Sequence, residues 1–139
     1  MAKTRQAADR QEPPAETTGG MTGPEWAIMK VVWEQEPCAA GTVQEALESS
    51  HHWAYSTVKT TMDRMAAKGL LATQAVRNLT LFSAQISRAD AQRSELRRMI
   101  GRAFDGALTP LIQFLAEEEE LTRDEIAELR KLIKRRAQS

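Results

Sequence analysis

The spacing of apolar residues changes period twice along this chain, and that constrains the fold more than any other feature. Trp26, Met29, Val32 and Trp33 recur at helical spacing, as do Val58, Met62 and Met65 further on. After Gly69 the period shortens. LLATQAV and LTLFSA are short runs of β-type residues separated by Arg77-Asn78, and asparagine tolerates the left-handed backbone of a tight turn, so these runs predict a β-hairpin. From Ser87 the helical spacing returns. Leu96, Met99, Ile100, Ala103 and Phe104 mark one face, Leu108, Leu111, Ile112 and Leu115 the next, and Ile126, Leu129, Leu132 and Ile133 the last. Three short helices followed by a hairpin is the order of a winged helix, a variant of the helix-turn-helix. The predicted fold class is mainly α with a small β-wing: a winged helix-turn-helix domain over residues 21–86, then a helical region over 87–139.

Local signals set the expected boundaries. Thr22 and Glu25 in TGPE have capping-box spacing, with Pro24 in the first turn, and Pro37 ends that helix. Thr42 and Glu45 repeat the spacing, predicting a second helix that opens there and buries Val43, Ala46 and Leu47. ESSHHW is expected to be a loop, and Gly69 to end the third helix. Thr122 and Glu125 in TRDE open the last helix. Gly101, Gly106 and Pro110 are expected to interrupt the helical region. Residues 1–20 are polar and punctuated by proline and glycine, as in a disordered arm.

Several function classes have no foothold. The chain carries 19 Lys+Arg and 19 Asp+Glu, so net charge does not point to nucleic acid. The distribution is uneven: Lys59, Arg64, Lys68 and Arg77 face only Asp63, and five arginines from Arg88 to Arg102 face Asp90 and Glu95. Acid gathers at Glu117 to Glu120, read as a solvated turn. Cys38 is the single cysteine, which excludes an intrachain disulfide and a cysteine-rich metal cage. His51 and His52 are adjacent and cannot share one helix face, so no metal site is assigned. Without a glycine-rich phosphate loop or a nucleophile–base pair, and with Asp63 alone, the chain reads as no enzyme and takes no cofactor. No apolar run is long enough to insert into a membrane and no signal-type stretch opens the chain, so a cytoplasmic protein is expected.

The third helix, in AYSTVKTTMDRMAAKGLL, is the informative one. Its first turns hold Ser56, Thr57, Thr60 and Thr61, which are mediocre helix formers. On a helical wheel Tyr55, Val58, Thr61, Met62, Met65 and Gly69 share a core face. Ser56, Thr60, Asp63 and Ala67 lie opposite, flanked by Lys59 and by Thr57 and Arg64. Short side chains let a helix sink into a groove, hydroxyls bond phosphates or base edges, and Arg64 has the reach for guanine. Helix propensity is given up for groove fit; the alternative is an ordinary solvated face. Arg77 supplies one positive charge near the wing tip.

EWAIMKVVW, TVQEAL, WAYSTVKTTMDRMAAKGLL and TRDEIAELRKLI together resemble the BlaI/MecI/CopY family of bacterial repressors, over about residues 21–136. The resemblance implies a homodimer that binds double-stranded DNA at inverted repeats containing TACA/TGTA and represses genes of β-lactam resistance or copper homeostasis. It places the DNA contacts of the third helix on Ser56, Thr57, Lys59, Thr60 and Arg64. The copper-sensing branch ends in paired cysteines, which this chain lacks, so the β-lactam branch is the better match. In that branch a membrane sensor-protease cuts the dimerisation tail at an Asn-Phe bond; the matching pair here is Gln113-Phe114, with glutamine in place of asparagine. Independently of the resemblance, Leu108, Leu111, Ile112, Leu115, Ile126, Leu129 and Ile133 are too many apolar positions for one short helix pair. A two-fold dimer buries such a patch and matches a palindromic operator; folding back onto the winged helix is the alternative. Two rival functions stay open: a protein-interaction module, favoured by zero net charge and a poorly basic wing, and a redox- or metal-responsive regulator.

Overall fold

The computed structural model describes residues 20–117 and 121–138, so the expected arm, apart from Gly20, and Glu118 to Glu120 lie outside the described residues. The chain forms two compact units that divide between Glu95 and Leu96. The first holds α1 (Gly23–Gln35), α2 (Ala40–His51), α3 (Tyr55–Ala67), β1 (Leu71–Val76) and β2 (Leu79–Ala84). Helix α4 (Arg88–Ala103) runs across the division, and the second unit continues with α5 (Thr109–Glu117) and α6 (Arg123–Ala137). This is the mainly α winged helix with a two-stranded antiparallel wing that the apolar periods predict.

Two capping boxes form as their spacing requires. The Thr22 N–H donates to Glu25 Oε1 at 2.9 Å and the Glu25 N–H to Thr22 Oγ1 at 3.3 Å. Thr122 and Glu125 exchange the same bonds at 2.9 and 3.1 Å. The third does not form. Helix α2 starts at Ala40 with Ala39 as its N-cap, so Thr42 already lies inside it. The cause is tertiary: the Cys38 N–H donates to the Phe82 carbonyl at 3.0 Å and the Phe82 N–H to the Cys38 carbonyl at 2.7 Å. That bridge to β2 holds Cys38 extended, and the helix begins as soon as the chain is released.

Other boundaries also move. Helix α2 continues through ESSH to His51, and His52 takes the left-handed cap conformation at φ 56°, so the expected loop is shorter. The Gln44 amide helps hold this end, donating to the Trp53 carbonyl at 3.1 Å. Val43 and Leu47 are buried, but Ala46, at the edge of the same face, is exposed. Gly101 stays within α4, whereas Gly106 at φ 81° follows its end and Pro110 sits in the first turn of α5. In the hairpin Val76 pairs with Leu79, and the left-handed residue is Arg77 at φ 57° rather than Asn78.

The core of the first unit is built from Ile28, Met29 and Val32 of α1, Val43 of α2, Val58, Met62 and Met65 of α3, and Phe82 of β2, each at most 1% exposed. Removing side chains of this size from water is what orients the three helices and the wing. The Trp33 indole N–H donates to the Ile86 carbonyl at 2.9 Å, and the Arg88 guanidinium lies over the Trp33 ring at 5.2 Å from its centroid. Among the described residues no helix is long and apolar enough to cross a membrane.

Candidate nucleic-acid interface

Val58, Met62 and Met65 are fully buried, and their spacing fixes which side of α3 turns outward. Ser56, Thr57, Thr60, Asp63 and Arg64 are all exposed. Thr61 is half-buried, and its hydroxyl donates back to the Thr57 carbonyl at 2.8 Å. That bond uses the hydroxyl inside the helix and leaves those of Ser56, Thr57 and Thr60 as the outward polar groups. Tyr55, expected in the core, is 53% exposed, because α3 begins at this residue and Val58 is the first side chain to reach the interior. Its ring lies near Gly41, where an added Cβ would stand 4.0 Å from Tyr55 Cε1.

The charges are less free than the sequence implies. Lys59 Nζ sits 2.9 Å from Asp63 Oδ2 and 3.1 Å from Oδ1. Lys68 Nζ lies 2.6 Å from Glu25 Oε2, across on α1. Arg64 at the edge of α3 and Arg77 at the hairpin tip are exposed, and no ion pair between described residues holds either. Val76 and Leu79, opposite each other beside Arg77, are exposed apolar residues at the wing tip.

In the second unit Leu108, Ile112, Leu115, Ile126, Leu129 and Ile133 are 38–55% exposed, and Leu111 is half-buried. Gln113 and Phe114 are exposed within α5, and the Phe114 ring lies 6.2 Å from that of Phe104. The pair is thus helical, not extended.

Cys38 is buried, and burial together with the nearby Glu36 carboxylate pushes its thiol above the ordinary value. A thiol held protonated is a poor nucleophile, which argues against a redox role. Among the described residues no group of three or more His, Cys, Asp or Glu is placed to hold a metal ion.

Sequence reasoning missed the Glu25–Lys68 pair, the Cys38–Phe82 bridge and the Lys59–Asp63 pair. Only the last had a local signal, the four-residue spacing of opposite charges on a helix.

A family model described as penicillinase repressor matches residues 21–135. The chain belongs to the penicillinase repressor family. That family is one of transcriptional repressors, not of enzymes. Among its relatives, the methicillin resistance regulatory protein MecI of Staphylococcus aureus (strain N315) is 22% identical over 112 residues, 81% of this chain and 91% of that protein. The penicillinase repressor of Bacillus licheniformis is 23% identical over 109 residues, 78% and 85% of the two chains. A solved structure of Bacillus licheniformis BlaI, in monomeric form with the blaP half-operator, aligns at a TM-score of 0.45 and 23% identity, over 50% of this chain and 85% of that one.

Proposed function

We propose that the chain is a homodimeric DNA-binding repressor that acts by occupying its operator. Helix α3 enters the major groove, Ser56, Thr57, Thr60 and Arg64 meet bases and phosphates, and Lys59 and Arg77 add phosphate contacts. The observation that carries this reading is the division of α3: three fully buried anchors behind, and a small, hydroxylated, arginine-edged face in front. A face made only for water gains nothing from threonine, whereas a face made for a groove gains close approach. Membership of a repressor family supports the same reading.

The C-terminal helices join two protomers. Their exposed leucines and isoleucines form the apolar surface that an isologous interface buries, and a two-fold dimer matches an inverted repeat. Such a protein works where its DNA is, in the bacterial cytoplasm. Repression ends when a membrane sensor-protease cuts at Gln113-Phe114, which separates α6 and its apolar face from the rest of the interface. Because this pair lies within α5, cutting requires local opening of that helix.

A second reading, a protein-interaction module, draws on the two ion pairs that occupy Lys59 and Lys68. Titration of the full chain with an inverted-repeat duplex carrying TACA/TGTA, and with a scrambled duplex, separates the two. A dimer with on the order of 6–8 phosphate contacts loses affinity roughly as the sixth power of salt concentration. Equal, salt-insensitive binding of both duplexes would favour the interaction module.

A further inference from the structure

Glu25 is the one charged residue buried among the described residues, at 6% exposure. Its two carboxylate oxygens have different work. Oε1 accepts from the Thr22 N–H at 2.9 Å and closes the cap of α1. Oε2 accepts from Lys68 Nζ at 2.6 Å. Lys68 is the C-cap residue of α3, and its own backbone N–H donates to the Arg64 carbonyl at 2.9 Å. One carboxylate therefore ties the first turn of α1 to the last turn of the helix assigned to DNA, between residues 43 apart in sequence.

Apolar packing alone specifies α3 loosely. Two of its three buried anchors, Met62 and Met65, are methionines, whose flexible side chains adapt to small shifts of the backbone. They fix which face is inward but hold the position of α3 along its own axis less tightly than branched side chains would. An ion pair with a buried carboxylate has the opposite character, and here the Glu25 side chain is 8% exposed while that of Lys68 is 35% exposed. Such a pair adds little net stability over an apolar pair, yet it tolerates little displacement, because a buried carboxylate that loses its partner is strongly disfavoured.

We infer that Glu25 and Lys68 are positioning residues for operator recognition: their ion pair sets the axial position of α3 so that Thr60 and Arg64 meet the base edges. The inference rests on the DNA-binding reading above. In this reading neither residue is a DNA ligand, and the Lys68 ammonium is turned to Glu25.

The test uses Lys68→Met and Glu25→Gln in the full chain, titrated with the inverted-repeat and scrambled duplexes over a range of salt. Glu25→Gln keeps a carbonyl oxygen for the Thr22 cap, so it separates the ion pair from the cap. In both variants affinity for the inverted repeat is expected to fall about tenfold, the size of one lost base contact, with an unchanged salt slope and unchanged binding of scrambled DNA. Lys68→Arg restores most of the affinity. Parental affinity in both variants overturns the inference. So does an equal loss on both duplexes with a shallower salt slope, which would make Lys68 a phosphate ligand, and so does unfolding of both variants by circular dichroism, which would make the pair a stability element. A parent chain with no preference for the inverted repeat fails the DNA reading itself, visibly and before any variant is compared, and removes this inference with it.

Discussion

The Lys59 ammonium stands 2.9 Å from the Asp63 carboxylate, one turn further along the outward side of α3. The helix assigned to DNA thus carries its own counter-ion. An exposed pair at this spacing contributes only about 0.3–0.5 kcal/mol, so a phosphate competes for Lys59 on nearly equal terms. The cost lies on the other side: Asp63 repels the same phosphate.

Replacing Asp63 should therefore strengthen DNA binding rather than weaken it. Asp63→Ala is expected to raise affinity for any duplex several-fold. The logarithmic salt slope should steepen by about 0.9 for each protomer as Lys59 becomes a full phosphate ligand. Fluorescence anisotropy at several salt concentrations reads both quantities. An unaltered slope would show that Lys59 does not lie at the backbone of the DNA.

Arg64 and Thr60 should govern which sequence is bound. Arg64→Ala is expected to cost about 1–3 kcal/mol of specific binding. Thr60→Val keeps the shape but loses the hydroxyl, so operator preference should fall. Because Thr60 is exposed, unfolding free energy should stay within about 0.5 kcal/mol of the parent. Parental operator affinity in both variants would remove α3 from the interface.

Burial and Glu36 hold the Cys38 thiol above its ordinary value of 9.0. Between 9.0 and the higher folded value the native chain keeps a proton that the unfolded chain has released. Stability should therefore decline as pH rises through that window, whereas below it the thiol is protonated in both states and stability does not change with pH on its account. Urea unfolding from neutral to alkaline pH should show a steeper alkaline loss in the parent than in Cys38→Ala. In the folded chain a disulfide reagent should modify Cys38 only slowly near pH 8. Fast modification of the native protein would contradict the burial of this residue.

Truncation after Gln113 tests the tail. Residues 1–113 retain every buried anchor of the first unit but lack α6 with Ile126, Leu129, Leu132 and Ile133. The fragment should keep a folded winged helix, sediment largely as a monomer and bind the inverted repeat far more weakly, since linkage of the two half-sites is lost. A dimeric fragment with parental affinity would rule out both the dimerisation role of the tail and derepression by cutting there.

The amino-acid sequence by itself determined whatever depends on neighbours within about four residues. The period changes at Gly69 and Ser87, the caps at Thr22 and Thr122, and the inward spacing of Val58, Met62 and Met65 are all local, and the structure bears them all out. Tertiary structure decided the rest, because the controlling contacts join residues far apart in the chain. Cys38 meets Phe82 and thereby sets where α2 begins, against the signal of Thr42 and Glu45. Lys68, counted in sequence with the positive charges around α3, turns to Glu25, since a buried carboxylate on α1 offers a better partner than water. Tyr55 shares the wheel position of the core residues, but a helical period says only which direction a side chain points. How far the neighbouring helices extend to cover it is a property of the packed fold, and here they leave it in solvent.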